Sequence, residues 1–211
     1  HYRFRNGQSL RLEAFEIKGE KLLYDVKSYL NTNPMQLDWK KLRVSDIGYR
    51  LVTENEQEYI GEKVSSWTKK LSPEENHRDS RVAIKVPFSR AGAYLVKGTL
   101  ASGNTSNIVF WLTDTVIVER PVSEGRYYFV ADASSGAPVP GAELLFFGYE
   151  QRHLKDDPKV WKKRERRFEI NTAESKRSVD VNGELLVSAS TVPDRYQWLV
   201  TAKDNSGRFA F

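Results

Sequence analysis

The run Val130-Ala131-Asp132-Ala133-Ser134-Ser135-Gly136-Ala137-Pro138-Val139-Pro140-Gly141-Ala142-Glu143-Leu144 narrows the choice of fold more than any other part of the chain. An apolar strand ends at an Asp, a Ser-Ser-Gly turn follows, and a proline-bounded link re-enters an apolar run through Leu145, Phe146 and Phe147. Asp132 can bond its own backbone two residues on, Gly136 supplies a positive φ, and Pro138 and Pro140 keep the link extended without donating to a ladder. Two neighbouring strands joined at a tight corner begin a β-sandwich. Nothing in the run is catalytic, so it speaks for architecture before chemistry.

The flanking sequence fits that start. Leu10, Leu12 and Ala14 alternate with Arg11, Glu13 and Phe15, which predicts a strand with one face in a core. One helix is expected over 20–30, with Leu22, Leu23, Val26 and Leu30 on a single stripe and Asn31-Thr32-Asn33-Pro34 as its stop. Residues 35–47 read as irregular, anchored by Leu37, Trp39 and Leu42. Further strands are predicted over 48–53, 59–71 and 81–86, and a hairpin pairs 93–100 with 107–118, with Tyr94 and Trp111 as its large core residues. In the second half Tyr127, Phe129 and Ala131 alternate with Tyr128, Val130 and Asp132, and 144–147 reads as a strand covered on both faces. Short strands are expected over 168–170, 177–181 and 184–187, the last two meeting in a hairpin at Asn182-Gly183.

An order of strand, Pro, Tyr-bearing strand, Gly turn and strand closes both halves, at Val86-Pro87 with Tyr94 and again at Val192-Pro193 with Tyr196. It suggests one unit of about 100 residues used twice. The expected fold class is all-β: two tandem immunoglobulin- or fibronectin-like sandwiches over 1–120, which includes the helix, and 121–211, divided at Glu119-Arg120-Pro121.

Composition excludes several function classes. The chain has 211 residues, of which 39% are hydrophobic and 12% aromatic, enough for folded cores and against disorder. With no cysteine, disulfides, thiolate catalysis and thiolate zinc sites are ruled out. No apolar run approaches the roughly 18 to 20 residues of a membrane span, and no stretch of the given sequence reads as a signal peptide. A chain that opens at His1 and closes on Arg208-Phe209-Ala210-Phe211 reads as cut from something longer. The net charge of +5 is concentrated in a basic arm over 152–167, which reads as a solvated loop or hairpin arm rather than a nucleic-acid site.

No constellation of residues supports catalysis, and no catalytic, cofactor-binding or metal-binding residue is assigned. His1, His77 and His153 lie far apart in polar segments without ligand spacing. Ser135-Gly136 lacks a nucleophile elbow, and Glu74-Glu75 and Asp156-Asp157 read as turn acids. Asp132, Asp180 and Asp204 recur at turns, where calcium could sit but where single acids ordinarily cap backbone. Tyr127, Tyr128, Trp161 and Trp198 could stack sugars, although most of them alternate as core residues do.

Residues 129–143, with strand, Asp, turn, Gly-x-Pro-Val and Gly-Ala, resemble the start of a macroglobulin domain in bacterial proteins of the alpha-2-macroglobulin family. Asp180-Val181-Asn182-Gly183-Glu184-Leu185 is similar to the later Asp-x-Gly hairpin of that domain. Gln197-Trp198-Leu199-Val200 and Gly207-Arg208-Phe209-Ala210 are similar to its closing strands. The resemblance spans 122–211 and extends more loosely into the first half through residues 91–95 and Trp111. It implies a non-catalytic fragment of a large exported protein, periplasmic or at the cell surface, that inhibits endopeptidases by trapping them. The implied partners are neighbouring macroglobulin domains and target proteases, with no cofactor. The thioester of many members has no counterpart, since there is no cysteine, and the only bait-like stretch is the 152–167 arm, whose cleavable residues any basic loop would offer. The alternative is an adhesion or carbohydrate-binding sandwich of a cell-surface protein.

Overall fold

The computed structural model describes residues 1–154 and 168–211. The chain is all-β in class, and the described residues form thirteen strands and three α-helices. It forms two compact units, His1–Leu23 with Arg43–Leu112, and Tyr24–Leu42 with Thr113–Phe211. This differs from a division at residue 120 in two ways. Segment 24–42 is grouped with the second unit, and Glu119-Arg120-Pro121 lies inside a strand instead of a link.

In the first unit, β2 (Ser9–Ile17) and β5 (Gly92–Leu100) form the middle of a four-stranded antiparallel sheet, with β3 (Ile60–Lys70) and β6 (Thr105–Leu112) at its edges. A smaller sheet pairs β1 (Tyr2–Phe4) with β4 (Ser80–Val82). The alternation read over 10–15 is visible as burial: Leu10, Leu12 and Ala14 are all at most 4% exposed. Their face carries an aromatic group in which Phe88 lies 4.6 Å from Tyr94 and 5.9 Å from Phe110. The opposite face packs Ile17, Ala93 and Leu95 against Leu22, Ile47 and Leu51.

Ile47 and Leu51 explain one departure from the sequence reading. Residues 48–53 were expected as a strand, but α3 (Ile47–Val52) is a helix, because two apolar residues four apart meet the sheet from one helical face. Arg50 is anchored beside them, 4% exposed, with Nη2 2.7 Å from the Glu56 carboxylate and its guanidinium over the Tyr59 ring. The stretch expected to be irregular also contains the short α2 (Trp39–Leu42). The strand expected over 81–86 is limited to Ser80–Val82.

The second unit is a sandwich of a four-stranded and a three-stranded sheet. The larger runs β10 (Phe168–Ser178), β9 (Glu143–His153), β12 (Gln197–Lys203), β13 (Phe209–Ala210); the smaller runs β11 (Glu184–Ser188), β8 (Gly125–Asp132), β7 (Thr115–Val122). Residues 133–142 form the corner that carries the chain from β8 in one sheet to β9 in the other. Leu144, Phe146 and Phe147 are all at most 2% exposed on an interior strand, as their unbroken apolar run requires. Tyr128 and Phe146 meet edge to face across the core with ring centroids 5.0 Å apart.

Helix α1 (Gly19–Asn31) buries the expected stripe of Leu22, Leu23, Val26 and Leu30. Within the second unit, Lys27 pairs with Glu174 at 2.7 Å, Thr172 Oγ1 donates to Asn31 Oδ1, and the Ile170 N–H donates to Asn33 Oδ1.

Two further expectations change. The strand read over 107–118 is interrupted at Thr113-Asp114, where Thr113 Oγ1 donates to the Thr115 carbonyl and Thr115 Oγ1 to Asp114. Such local side-chain bonds compete with a ladder, and they send β6 and β7 to different sheets. Asn182-Gly183 is a turn, but it joins β10 and β11 of opposite sheets and so is not a hairpin. Residues 179–181 belong to that turn rather than to a strand. Tyr94 is buried as expected, whereas Trp111 and Trp39 are 43% and 50% exposed.

Candidate interaction surface

The residues weighed for chemistry do not converge. His77 Nδ1 sits 2.6 Å from Asn6 Oδ1, His153 stacks edge-on to Phe168, and His1 is exposed at the terminus. Among the described residues no group of three or more His, Asp or Glu could hold a metal ion. Glu74 and Glu75 are exposed in a turn, and Ser135 Oγ donates to Asp132. Asp156, Asp157, Trp161 and most of the 152–167 arm lie outside the described residues.

The three turn aspartates cap backbone. Asp132 accepts from the N–H groups of Ser134 and Ser135, and Asp180 from those of Asn182 and Glu184. Hydrogen bonds from Ser135 hold the Asp132 carboxyl below its usual range. Asp204 is the most tightly held. It accepts from the N–H groups of Ser206 and Arg208, from Ser206 Oγ and from Arg208 Nε, at 2.7–2.9 Å. Burial pulls its pKa up, but these four donors outweigh that and hold it at about 2.

Arg208 also reaches Asp132 Oδ2 at 3.5 Å, so two of the three carboxylates share one guanidinium. The cation between those turns is a side chain of the protein itself. The sequence reading missed Arg208. Its spacing of four from Asp204 was a signal, but the tie to Asp132 depends on the fold.

The three candidate sugar-stacking aromatics among the described residues separate. Tyr128 is 1% exposed, and burial pushes its hydroxyl up to about 12. Trp198 donates Nε1–H to the Pro193 carbonyl at 3.1 Å. Of these three, Tyr127 is the one turned to the outer face, where it is half-buried. Because Tyr128, Val130, Leu185 and Ile117 point into the core, strand alternation turns Tyr127, Phe129, Leu186 and Val118 outward. The register sets Val118 opposite Phe129 and Leu186 opposite Tyr127. Val118 and Leu186 are 48% and 53% exposed, with Arg120 and Glu184 at the margins of the patch. The outer face of an antiparallel sheet is ordinarily polar, so a contiguous apolar patch here is the surface feature that most needs a partner.

Among the solved structures that match the chain are two fragments of native alpha-2-macroglobulin from Escherichia coli. One crystal structure, spanning domains NIE-MG1, matches at a TM-score of 0.56 with 15% identity, covering 98% of this chain and 84% of that one. The chain has the fold of an alpha-2-macroglobulin fragment. A second alpha-2-macroglobulin structure, spanning MG0-NIE-MG1, matches at 0.53 with 15% identity, covering 99% of this chain and 55% of that one. The macroglobulin likeness thus runs through both compact units. No protein-family model and no curated protein matches the sequence. Among the described residues no helix is long and apolar enough to cross a membrane.

Proposed function

We propose that the chain is a non-catalytic structural and interaction segment of a large exported alpha-2-macroglobulin-like protein that inhibits endopeptidases by trapping them. The first unit would be the counterpart of the domain named NIE and the second that of MG1. The observation that carries this reading is a likeness that takes in two successive domains over almost the whole chain. A support independent of that likeness is the set of roles played by the polar residues, whose aspartates are occupied in capping turns. The open apolar face of β7, β8 and β11 suits a segment held between neighbours, and its partners would be adjoining domains of the same polypeptide.

The sugar-binding alternative loses ground, since Tyr128 is in the core and Trp198 is tied to backbone. The test uses the parent polypeptide that contains residues 1–211, incubated with a protease. Trapping lowers hydrolysis of a protein substrate while a small chromogenic peptide is still cleaved. Equal, undiminished hydrolysis of both overturns the proposal.

A further inference from the structure

The two edges of the first unit's large sheet are built differently. Edge strand β3 carries Glu62, Lys63, Lys69 and Lys70, and its pairing to β2 shifts register twice, at Ala14/Phe15 and Phe15/Ile17. Charged side chains and bulges are the ordinary means of keeping an edge from pairing with another chain. Edge strand β6 has neither. Its eight residues, Thr-Ser-Asn-Ile-Val-Phe-Trp-Leu, include no charge, no glycine and no proline, and they pair with β5 in unbroken register.

The turn fixes which backbone groups of β6 point outward. Leu100 N–H donates to the Asn104 carbonyl at 2.9 Å, and the same register pairs Gly98 with Ser106 and Val96 with Ile108. Hydrogen-bonded pairs alternate along an antiparallel ladder, so Ser106 and Ile108 bond to β5 while Asn107 and Val109 present N–H and C=O to the open side. Among the described residues these outward groups have no backbone partner. Ile108 is 62% exposed, and Thr105, Ser106 and Asn107 are exposed around it.

We propose that β6 is a strand-pairing edge whose occupant is the β6 strand of a second copy of this chain, antiparallel and in register about Ile108. In that register Asn107 of each strand stands opposite Val109 of the other, forming about four backbone hydrogen bonds. The two Ile108 side chains meet directly across the axis, in the non-hydrogen-bonded position where side chains come closest. A register centred one residue earlier would set Ile108 against Ser106, and one residue later against the half-buried Phe110; only the central one matches the exposed apolar side chain to its equal. Because β6 is uncharged, no like charges oppose one another. The same strand set against β3 would leave its lysines and bulges unmatched.

Sedimentation velocity on the 211-residue chain across a concentration series tests the proposal. A monomer–dimer equilibrium is expected, with the Asn107 and Val109 amides exchanging more slowly with solvent as concentration rises. Ile108→Lys places two ammonium groups face to face and raises the dimer dissociation constant tenfold or more, whereas Ile108→Leu keeps it within about threefold. Asn107→Pro removes an outward N–H without removing a bond to β5, so it weakens the dimer even if the lysine variant fails to fold. A chain that stays monomeric up to about 1 mM overturns the proposal. So does a dimer indifferent to both Ile108→Lys and Asn107→Pro, or one in which the Asn107 and Val109 amides exchange as fast as in the monomer.

Discussion

Asp204→Asn should weaken the second unit by an amount that depends on pH in a way no loss of shape would. The native carboxyl is 10% exposed, and its pKa is held at about 2 against an ordinary 3.8. At about 1.4 kcal/mol per unit, that depression corresponds to about 2 kcal/mol. Asparagine keeps the size and can still accept from the Ser206 and Arg208 N–H groups, so the loss isolates the charge and its pairing with Arg208. A depressed carboxyl pKa stabilises the fold above the unfolded value near 3.8 and ceases to do so as pH falls through about 2. The difference between native and variant chains should therefore be full at pH 7, about half as large near pH 3 and nearly gone at pH 2. Urea unfolding followed by the amide signals of Ala202 and Ala210 reads this unit alone, since both residues lie in its core. A difference below about 0.5 kcal/mol at pH 7, or one that stays constant down to pH 3, would refute the reasoning.

Two glycines with the same backbone sign should respond differently to a methyl group. Gly183 has φ +74° and a Cβ there would lie 2.6 Å from the Val130 carbonyl oxygen, whereas Gly136, at φ +71°, has open space around it. Gly136→Ala is expected to lose about 1 kcal/mol from conformation alone and Gly183→Ala clearly more, with equal melting temperatures counting against this account. On the open face, Val118→Glu with Leu186→Glu should leave the chain's own stability within about 0.5 kcal/mol per site, since neither side chain is in the core. In the parent polypeptide the same pair should increase protease nicking at the junctions of this unit with its neighbours, and an unchanged digestion pattern would remove the face from the proposed interface.

The sandwich of the second unit was legible because its determinants are local. The continuous apolar run of 144–147 and the Asp132-Ala133-Ser134-Ser135-Gly136 turn each act within a few residues. The failures fall where a local signal admits two partners. Asn182-Gly183 specifies a reversal of the chain but not whether the next strand joins the same sheet, and here it joins the other. Ile47 and Leu51 could serve one face of a strand or a helix in so short a segment, and the sheet they pack on made the choice. Thr113-Asp114 hid a strand break because Thr is a good strand residue, and only its side-chain bonds to Thr115 and Asp114 show the interruption. The size of Trp39 and Trp111 did not bury them. Arg208 could be tied to Asp204 by spacing, but to Asp132 only once β8 and β13 were brought to the same end of the sandwich.

The strand β8 shows why the apolar patch escaped a reading by pattern. Its two faces are nearly equal in hydrophobicity, Tyr127, Phe129 and Ala131 on one and Tyr128 and Val130 on the other, so alternation of polarity gives no sign of which face is covered. The structure covers Tyr128 and Val130 fully and buries Ala131 at the end of the other face, but leaves Tyr127 and Phe129 half-buried beside the exposed Val118 and Leu186; a strand that is apolar on both faces is what a sheet needs when both are covered. Among the described residues the core side is supplied by Phe146 and its neighbours. The composition of β8 therefore makes sense if something outside these residues supplies the other side. That requirement is met by a segment whose second sandwich is one member of a packed series, and it would be unexplained in a module that stood alone in solvent.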